Sequence, residues 1–303
     1  MPRENSSALP DDPAPGTDNG GAPIRVERPQ TWAAPLIFAS PHSGCDYPAD
    51  FQAASRLSPL SLRRSEDAFI DEIYARAPEK GAPLLRALFP RAYVDPNREA
   101  FELDPDMFTG PLPDYVITDS PRVRAGLGTI ARVVTNGEDI YTSRLDFDEI
   151  KKRIERCYVP YHEALEKMIG EAKATFGAAL LVDCHSMPSV GGPMDRDPGL
   201  RRVDMVLGDC HGTACAPAVT DLVESTLKDM GFVVTRNAPY AGGYTTRHYG
   251  RPEDKVHAIQ IEINRVLYMD EIALARSEGI HSLSAKITRL IETLSGLDRS
   301  ILG

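Results

Sequence analysis

The chain has 303 residues, with 34 Lys and Arg against 44 Asp and Glu and a formal net charge of −10 at pH 7. An acidic balance spread over the whole length excludes nucleic acid and anionic membrane as general partners, while a local basic pocket for an acidic small molecule stays open. No run approaches the ~18 apolar residues of a membrane span and no leading stretch has the form of a signal peptide. Five cysteines, at 45, 157, 184, 210 and 215, make no paired framework, so a cytoplasmic protein with reduced thiols is expected.

Residues 1–22 combine Ser6-Ser7, Pro10-Asp11-Asp12-Pro13, Pro15-Gly16 and Asn19-Gly20-Gly21 and offer no apolar face. They predict a disordered tail ahead of a single domain over 23–303, since nothing further along has the composition of a joint. Leu36 to Ser40 is a short apolar run that reads as a buried strand and leads into Pro41-His42-Ser43-Gly44. Helical spacing of Phe69, Ile70, Ile73 and Tyr74 predicts a helix over 57–78, closed by Pro78. Leu84 to Leu88 and Ala92 to Val94 read as strands divided by Phe89-Pro90, the second running into Asp95-Pro96-Asn97-Arg98.

From 99 to 124 the chain is rich in Pro, Asp and Gly, the composition of a long functional loop. A helix over 146–176, interrupted near Pro160, gives way at Gly177 to a strand ending at Asp183, just before Cys184-His185-Ser186. Strands at 203–207, 232–235 and 258–263 alternate with helices at 216–230 and 270–297, with a glycine-rich loop at 240–250. Such alternation predicts an α/β fold with a mostly parallel sheet covered on both faces. Open sheets of this kind bind ligands at the carboxyl ends of their strands, where His42 and His185 fall.

A catalytic zinc site takes about three protein ligands, His and carboxylate, and leaves a position for water. Two histidines at strand ends supply part of that set, and the helix offers Glu66, Asp67 or Asp71 for the missing acid, with Asp67 and Asp71 four apart on one face. The same acids would also suit a helix N-terminus after Ser65. Glu262 lies inside Ala258-Ile259-Gln260-Ile261-Glu262-Ile263, where an unpaired carboxylate would cost several kcal/mol. A salt bridge to Arg265 or Arg247 would compensate it, and so would service as a general base beside a metal. Asn97-Arg98 provides a planar fork and an amide for a substrate carboxylate. The loop from Tyr240 to Gly250 has the glycines and polar donors of a segment that closes over a substrate, or of an ordinary hairpin. Gly126-Leu127-Gly128-Thr129-Ile130-Ala131 has the form of a dinucleotide fingerprint, but Pro121-Arg122-Val123-Arg124 precedes it instead of a strand. His211 in a second Asp-Cys-His triplet is a rival ligand, and Cys184, pointing opposite to His185, belongs to the core.

Six segments agree in order with one known family. Pro41-His42-Ser43-Gly44, Asp67 to Asp71, Phe89 to Arg98, Asp183-Cys184-His185-Ser186-Met187-Pro188-Ser189, Tyr240 to Gly250 and Gln260 to Glu271 resemble the N-formylglutamate amidohydrolases, over about Leu36 to Glu271. That family is similar to the zinc carboxypeptidases and the aspartoacylase group, which implies a three-layer α/β/α sandwich of phosphorylase/hydrolase type and one zinc ion. Carried onto this chain, the resemblance implies His42 and His185 as ligands, Glu262 as general base and Asn97-Arg98 as the grip on a substrate carboxylate. The carboxypeptidase pattern has a carboxylate three residues after the first histidine, where this chain has Cys45, so Asp67 is taken as the third ligand. His211 lies outside the family's motifs.

The implied reaction is hydrolysis of N-formyl-L-glutamate to formate and L-glutamate by zinc-activated water. Arg247 or His248 would stabilise the oxyanion, and Tyr244, Thr245 and Arg265 would join Asn97 and Arg98 against the substrate. The alternatives are an amidohydrolase or carboxypeptidase-like enzyme on another N-acyl amino acid, a choice assigned to the 99–124 loop, and a non-catalytic metal- or ligand-binding relative. Mere binding gives no reason for a buried base at 262. The sequence carries no signature of an oligomeric state.

Overall fold

The computed structural model describes residues 21–134, 136–193 and 195–303. All but the last two positions of the tail expected at 1–22 lie outside the described residues. The strands are β1 (Ile24–Glu27), β2 (Leu36–Ser40), β3 (Leu84–Ala87), β4 (Ala179–Met187), β5 (Met205–Gly208), β6 (Val234–Arg236) and β7 (Val256–Asn264), with a small hairpin of β8 (Met269–Asp270) and β9 (Ala275–Arg276). The helices are α1 (Ala49–Ala54), α2 (Pro59–Arg63), α3 (Ile70–Ile73), α4 (Pro121–Arg124), α5 (Phe147–Arg153), α6 (Val159–Phe176), α7 (Pro217–Asp229), α8 (Tyr244–Tyr249) and α9 (Gly279–Ser295).

Seven strands form one sheet in the order β1-β3-β2-β4-β7-β5-β6. β3, β2, β4 and β7 are mutually parallel, whereas β1 pairs antiparallel with β3 and β5 antiparallel with β7. The period of two along each strand sorts its side chains into two cores. Leu36 and Phe38 of β2, Leu180 and Val182 of β4, and Ile259 and Ile261 of β7 pack with Tyr74, Val219 and Leu290 from the α3, α7 and α9 side. Ile37, Ala39, Ala179, Leu181, Val256 and Ala258 pack with Tyr161, Leu165 and Met168 of α6. The result is the expected three-layer sandwich.

Several elements differ from the sequence expectation. The helix expected over 57–78 is broken between Arg63 and Ile70: Phe69 is left-handed (φ 66°), and the Asp67 N–H donates to the His42 carbonyl instead of to a helical turn. Glu66 and Asp67 are therefore on a connecting turn, and the helical face proposed for Asp67 and Asp71 does not exist. Ala92 to Val94 is a turn closed on the Pro90 carbonyl, not a strand. β4 runs on to Met187, so His185 sits within the strand rather than past its end.

The 240–250 loop contains α8. The helix expected over 270–297 begins only at Gly279, because the β8–β9 hairpin comes first. β1, outside the expected strands, adds an edge strand. The interruption near Pro160 is a wide π turn over Ile154–Tyr158 joining α5 to α6. Pro160 brings no N–H and its ring would crowd the Arg156 carbonyl in a regular turn. No helix among the described residues is long and apolar enough to cross a membrane.

Candidate metal centre and active site

The α6-facing rows of β4 and β7 start apolar and change character at one level. After Ala179 and Leu181 the same row carries Asp183 and His185, and after Val256 and Ala258 it carries Gln260 and Glu262. The register pairs Asp183 with Gln260 and His185 with Glu262, so four polar side chains share one patch at the carboxyl end of the parallel strands. His42, two residues past β2, joins them from the neighbouring strand.

His42, Asp67 and His185 form a buried group whose candidate ligand atoms lie within 4.8 Å of one another, a group that could hold a metal ion. Asp67 Oδ2 is 3.2 Å from His42 Nδ1 and 3.0 Å from His185 Nδ1. Its other oxygen accepts from Ser186 Oγ at 3.0 Å and from Arg265 Nη2 at 3.1 Å. The far nitrogen of each imidazole meets a carboxylate: His42 Nε2 is 2.7 Å from Asp95 Oδ1, and His185 Nε2 is 3.0 Å from Asp183 Oδ1. Carboxylates behind the histidines orient and enrich metal-ligating imidazoles, so the donor set fits a divalent ion such as zinc.

Electrostatics follow from burial. Asp67 is held well below the usual carboxylate range by the two imidazoles, which overcome the opposing effect of burial. His185 is raised well above the ordinary imidazole value: burial pulls it down, and Asp183 and Asp67 more than reverse that. Glu262 is pushed up to about 7, first by burial and then by Asp67 and Asp183, against His185 and Arg91. Neither arginine considered as its partner pairs with it. Gln260 Nε2 donates to Glu262 Oε1 at 2.6 Å, and Gln260 Oε1 accepts from the Gly243 N–H at 2.7 Å.

Asn97 lies inside the cluster, with Nδ2 3.1 Å from His185 Nε2 and Oδ1 accepting from the Thr245 N–H at 2.8 Å. Gly243 is obligatory beside it, because a Cβ there would come within 2.3–2.6 Å of the Asn97 amide. Arg98 is buried and donates to the carbonyls of Leu127 and Asn97. Its guanidinium is lowered to about 10, chiefly by burial, with Asp95 opposing and Arg122 and Arg91 adding repulsion.

Not every expected site residue converges here. Asp71 turns to Arg86 at 3.0 Å, and Glu66 to Tyr47 and Arg63, which leaves Asp67 as the acid facing the histidines. Arg265 is committed to Ser186, Asp67 and the Glu66 carbonyl instead of facing a substrate. Arg247 and His248 are exposed on α8, Arg247 interacting with Cys210 and His248 stacked on Tyr244 at 4.8 Å. His211 is exposed and outside the cluster. Tyr244 is half-buried, whereas Thr245 is fully buried.

Three residues outside the expected set lie at the site. Asp95 and Asp183 back the histidines. Arg91 donates to Asp95 Oδ2 at 2.9 Å, and its charge reaches Asp67 and Glu262. Asp183 had a signal, since it stands two positions before His185 on one face of a strand. Arg91 lies within the Phe89 to Arg98 segment that carries the family resemblance, but only folding brings its charge close enough to act on Glu262 of β7.

Comparison with known proteins gives a consistent result. A sequence model described as N-formylglutamate amidohydrolase matches residues 34–269. An N-formylglutamate deformylase of Pseudomonas aeruginosa is 31% identical over 268 residues, covering 86% of this chain and 92% of its own. One from Pseudomonas putida is 27% identical over 243 residues, covering 78% and 82%. The crystal structure of an N-formylglutamate amidohydrolase from Ralstonia eutropha superposes with a TM-score of 0.82 at 37% identity, over 90% of this chain and 97% of that one.

Proposed function

The chain belongs to the N-formylglutamate amidohydrolase family, and from that premise we propose that it hydrolyses N-formyl-L-glutamate to formate and L-glutamate. His42, Asp67 and His185 would hold one zinc ion. The observation that carries this reading is the register of His185 against Glu262, which sets a buried, proton-accepting carboxylate beside the metal-binding group. When bound, the ion would polarise water and the formyl oxygen.

Every other step belongs to the chain. Glu262, with a pKa near that of its task, takes a proton from the attacking water and returns it to the departing nitrogen, so that the C–N bond breaks to formate and a free amine. Arg91 supplies the positive charge for the developing oxyanion in place of Arg247 or His248, because its guanidinium acts on Glu262 and Asp67 whereas those two side chains are exposed on α8. Asn97 and Arg98, with Tyr244 and Thr245, take a substrate carboxylate, and an incoming anion would relieve the repulsion of Arg98 by Arg91 and Arg122. Residues 23–303 act as one catalytic unit, and the unpaired thiols suit a cytoplasmic enzyme.

The decisive experiment assays release of the free amino acid from N-formyl-L-glutamate, N-acetyl-L-glutamate and other N-formyl amino acids, before and after chelation and with zinc restored. Chelator-sensitive release from N-formyl-L-glutamate is expected. An inert N-formyl-L-glutamate beside turnover of another acyl donor would overturn the substrate, and chelator-insensitive turnover would overturn the metal.

A further inference from the structure

His162 belongs to no motif, yet it is buried on α6 with both ring nitrogens engaged: Nε2 is 2.9 Å from the Pro96 carbonyl and Nδ1 2.8 Å from Tyr249 Oη. Its ring lies tilted by 35° against Tyr158 with centroids 4.1 Å apart and near-parallel to Tyr249 at 5.9 Å. Burial lowers its pKa to about 4, with the Pro96 contact opposing, so the imidazole is neutral at neutral pH. A carbonyl only accepts, hence Nε2 carries the proton to Pro96 and Nδ1 accepts from the tyrosine.

The segment it touches supports both histidines of the candidate metal centre. Asp95 holds His42, Asn97 touches His185 and takes the Thr245 N–H, and the Arg98 carbonyl accepts from Tyr158 Oη at 2.9 Å. Pro96 has no N–H to donate, so its carbonyl is its one main-chain hydrogen-bonding group. The π turn over Ile154–Tyr158 resets the helix just ahead of this point, and Tyr158 and His162, four apart, then face the segment together.

We propose that His162 is a positioning residue: by pinning the Pro96 carbonyl it fixes the four-residue span 95–98 that orients both histidines and presents Arg98 to the substrate. The inference rests on the metal-centre reading above. Displacing this span misplaces Asp95 and Asn97 together, and carboxylate support behind a ligating histidine is worth roughly 10–100-fold in metal affinity.

The test uses the full chain, with zinc affinity measured by competition with a chromophoric chelator and KM and kcat measured for N-formyl-L-glutamate. His162→Phe keeps the ring and removes both hydrogen bonds. It is expected to weaken zinc about tenfold and to raise KM. Ile169→Val, on the same helix and away from the span, is expected to lower the melting temperature while leaving both readouts unchanged. Tyr249→Phe, which removes only the hydroxyl bonded to Nδ1, should give a smaller loss in the same direction, and it decides the matter if His162→Phe does not fold.

Zinc affinity and KM within threefold of the parent in His162→Phe overturn the inference, as do unchanged values in Tyr249→Phe when that variant alone folds. An equal loss in Ile169→Val also overturns it, since the effect would then be general destabilisation. A parent chain binding zinc no better than Asp67→Asn instead overturns the metal-centre reading and this inference with it.

Discussion

Replacing Glu262 by Gln removes a proton acceptor and almost nothing else. The side chain keeps its size, and its amide oxygen can still accept from Gln260 Nε2, now 2.6 Å from Glu262 Oε1. The fold should not suffer. Burial raises the Glu262 pKa to about 7 from 4.5, so the ionised form is disfavoured in the folded chain, and its stabilising proton is lost as pH rises through that value. At pH 8 the metal-free amide variant should therefore melt no lower than the parent. The catalytic loss is the worth of a positioned general base, ~10²–10⁴ in kcat, or about 2.7–5.4 kcal/mol of barrier at 1.36 kcal/mol per decade. Formate release by zinc-loaded parent and variant at saturating N-formyl-L-glutamate, with zinc content measured on the same samples, supplies the number. Folded, zinc-replete Glu262→Gln turning over within threefold of the parent would refute the assignment of the base.

The acid limb of kcat/KM should fall at or below pH 7, because the base works deprotonated and a bound dication adds to the lowering by His185 and Arg91. Arg91→Gln should move that limb to higher pH besides reducing turnover, and a pH profile from 5 to 9 that shifted downward would contradict the placement of Arg91. Gly243→Ala would set a methyl within 2.3–2.6 Å of the Asn97 amide, and the displaced side chain should lose its contacts with His185 and Thr245. A drop of about 10²-fold in kcat/KM is expected for misplacement of this size, with a lower melting temperature from the overpacking, and steady-state kinetics below the variant's melting range would check it. Leu165→Ala, in the fully buried α6 core, should cost ~2–5 kcal/mol in denaturant unfolding with little change in the transition slope.

Much of the site was legible in local order. A buried strand followed closely by histidine located His42 and His185, and a carboxylate inside an apolar strand marked Glu262 because burial without a role is costly. The sheet, its covering helices and the break at Pro160 followed from apolar periodicity and from the chemistry of proline. Asp67 faces the two histidines although the helix expected to carry it is broken there. A helical pattern of apolar residues persisted through 57–78, but the Asp67 main chain bonds to His42 and Ser43, and those tertiary bonds outweighed local propensity. Arg265, Arg247 and His248 show the opposite failure, where a residue type suited to the chemistry is engaged elsewhere.

By itself the sequence determined which side chains could do the chemistry and on which strands they lie, because strand alternation and the cost of burying charge are local constraints. Only the tertiary structure decided which acid faces the two histidines, which carboxylates stand behind them and which arginine reaches Glu262. Those choices depend on register between strands distant in sequence and on turns whose hydrogen bonds close across the sheet. His162 is the clearest case. Nothing around it in the chain distinguishes it, and its meaning arises from a carbonyl 66 positions away.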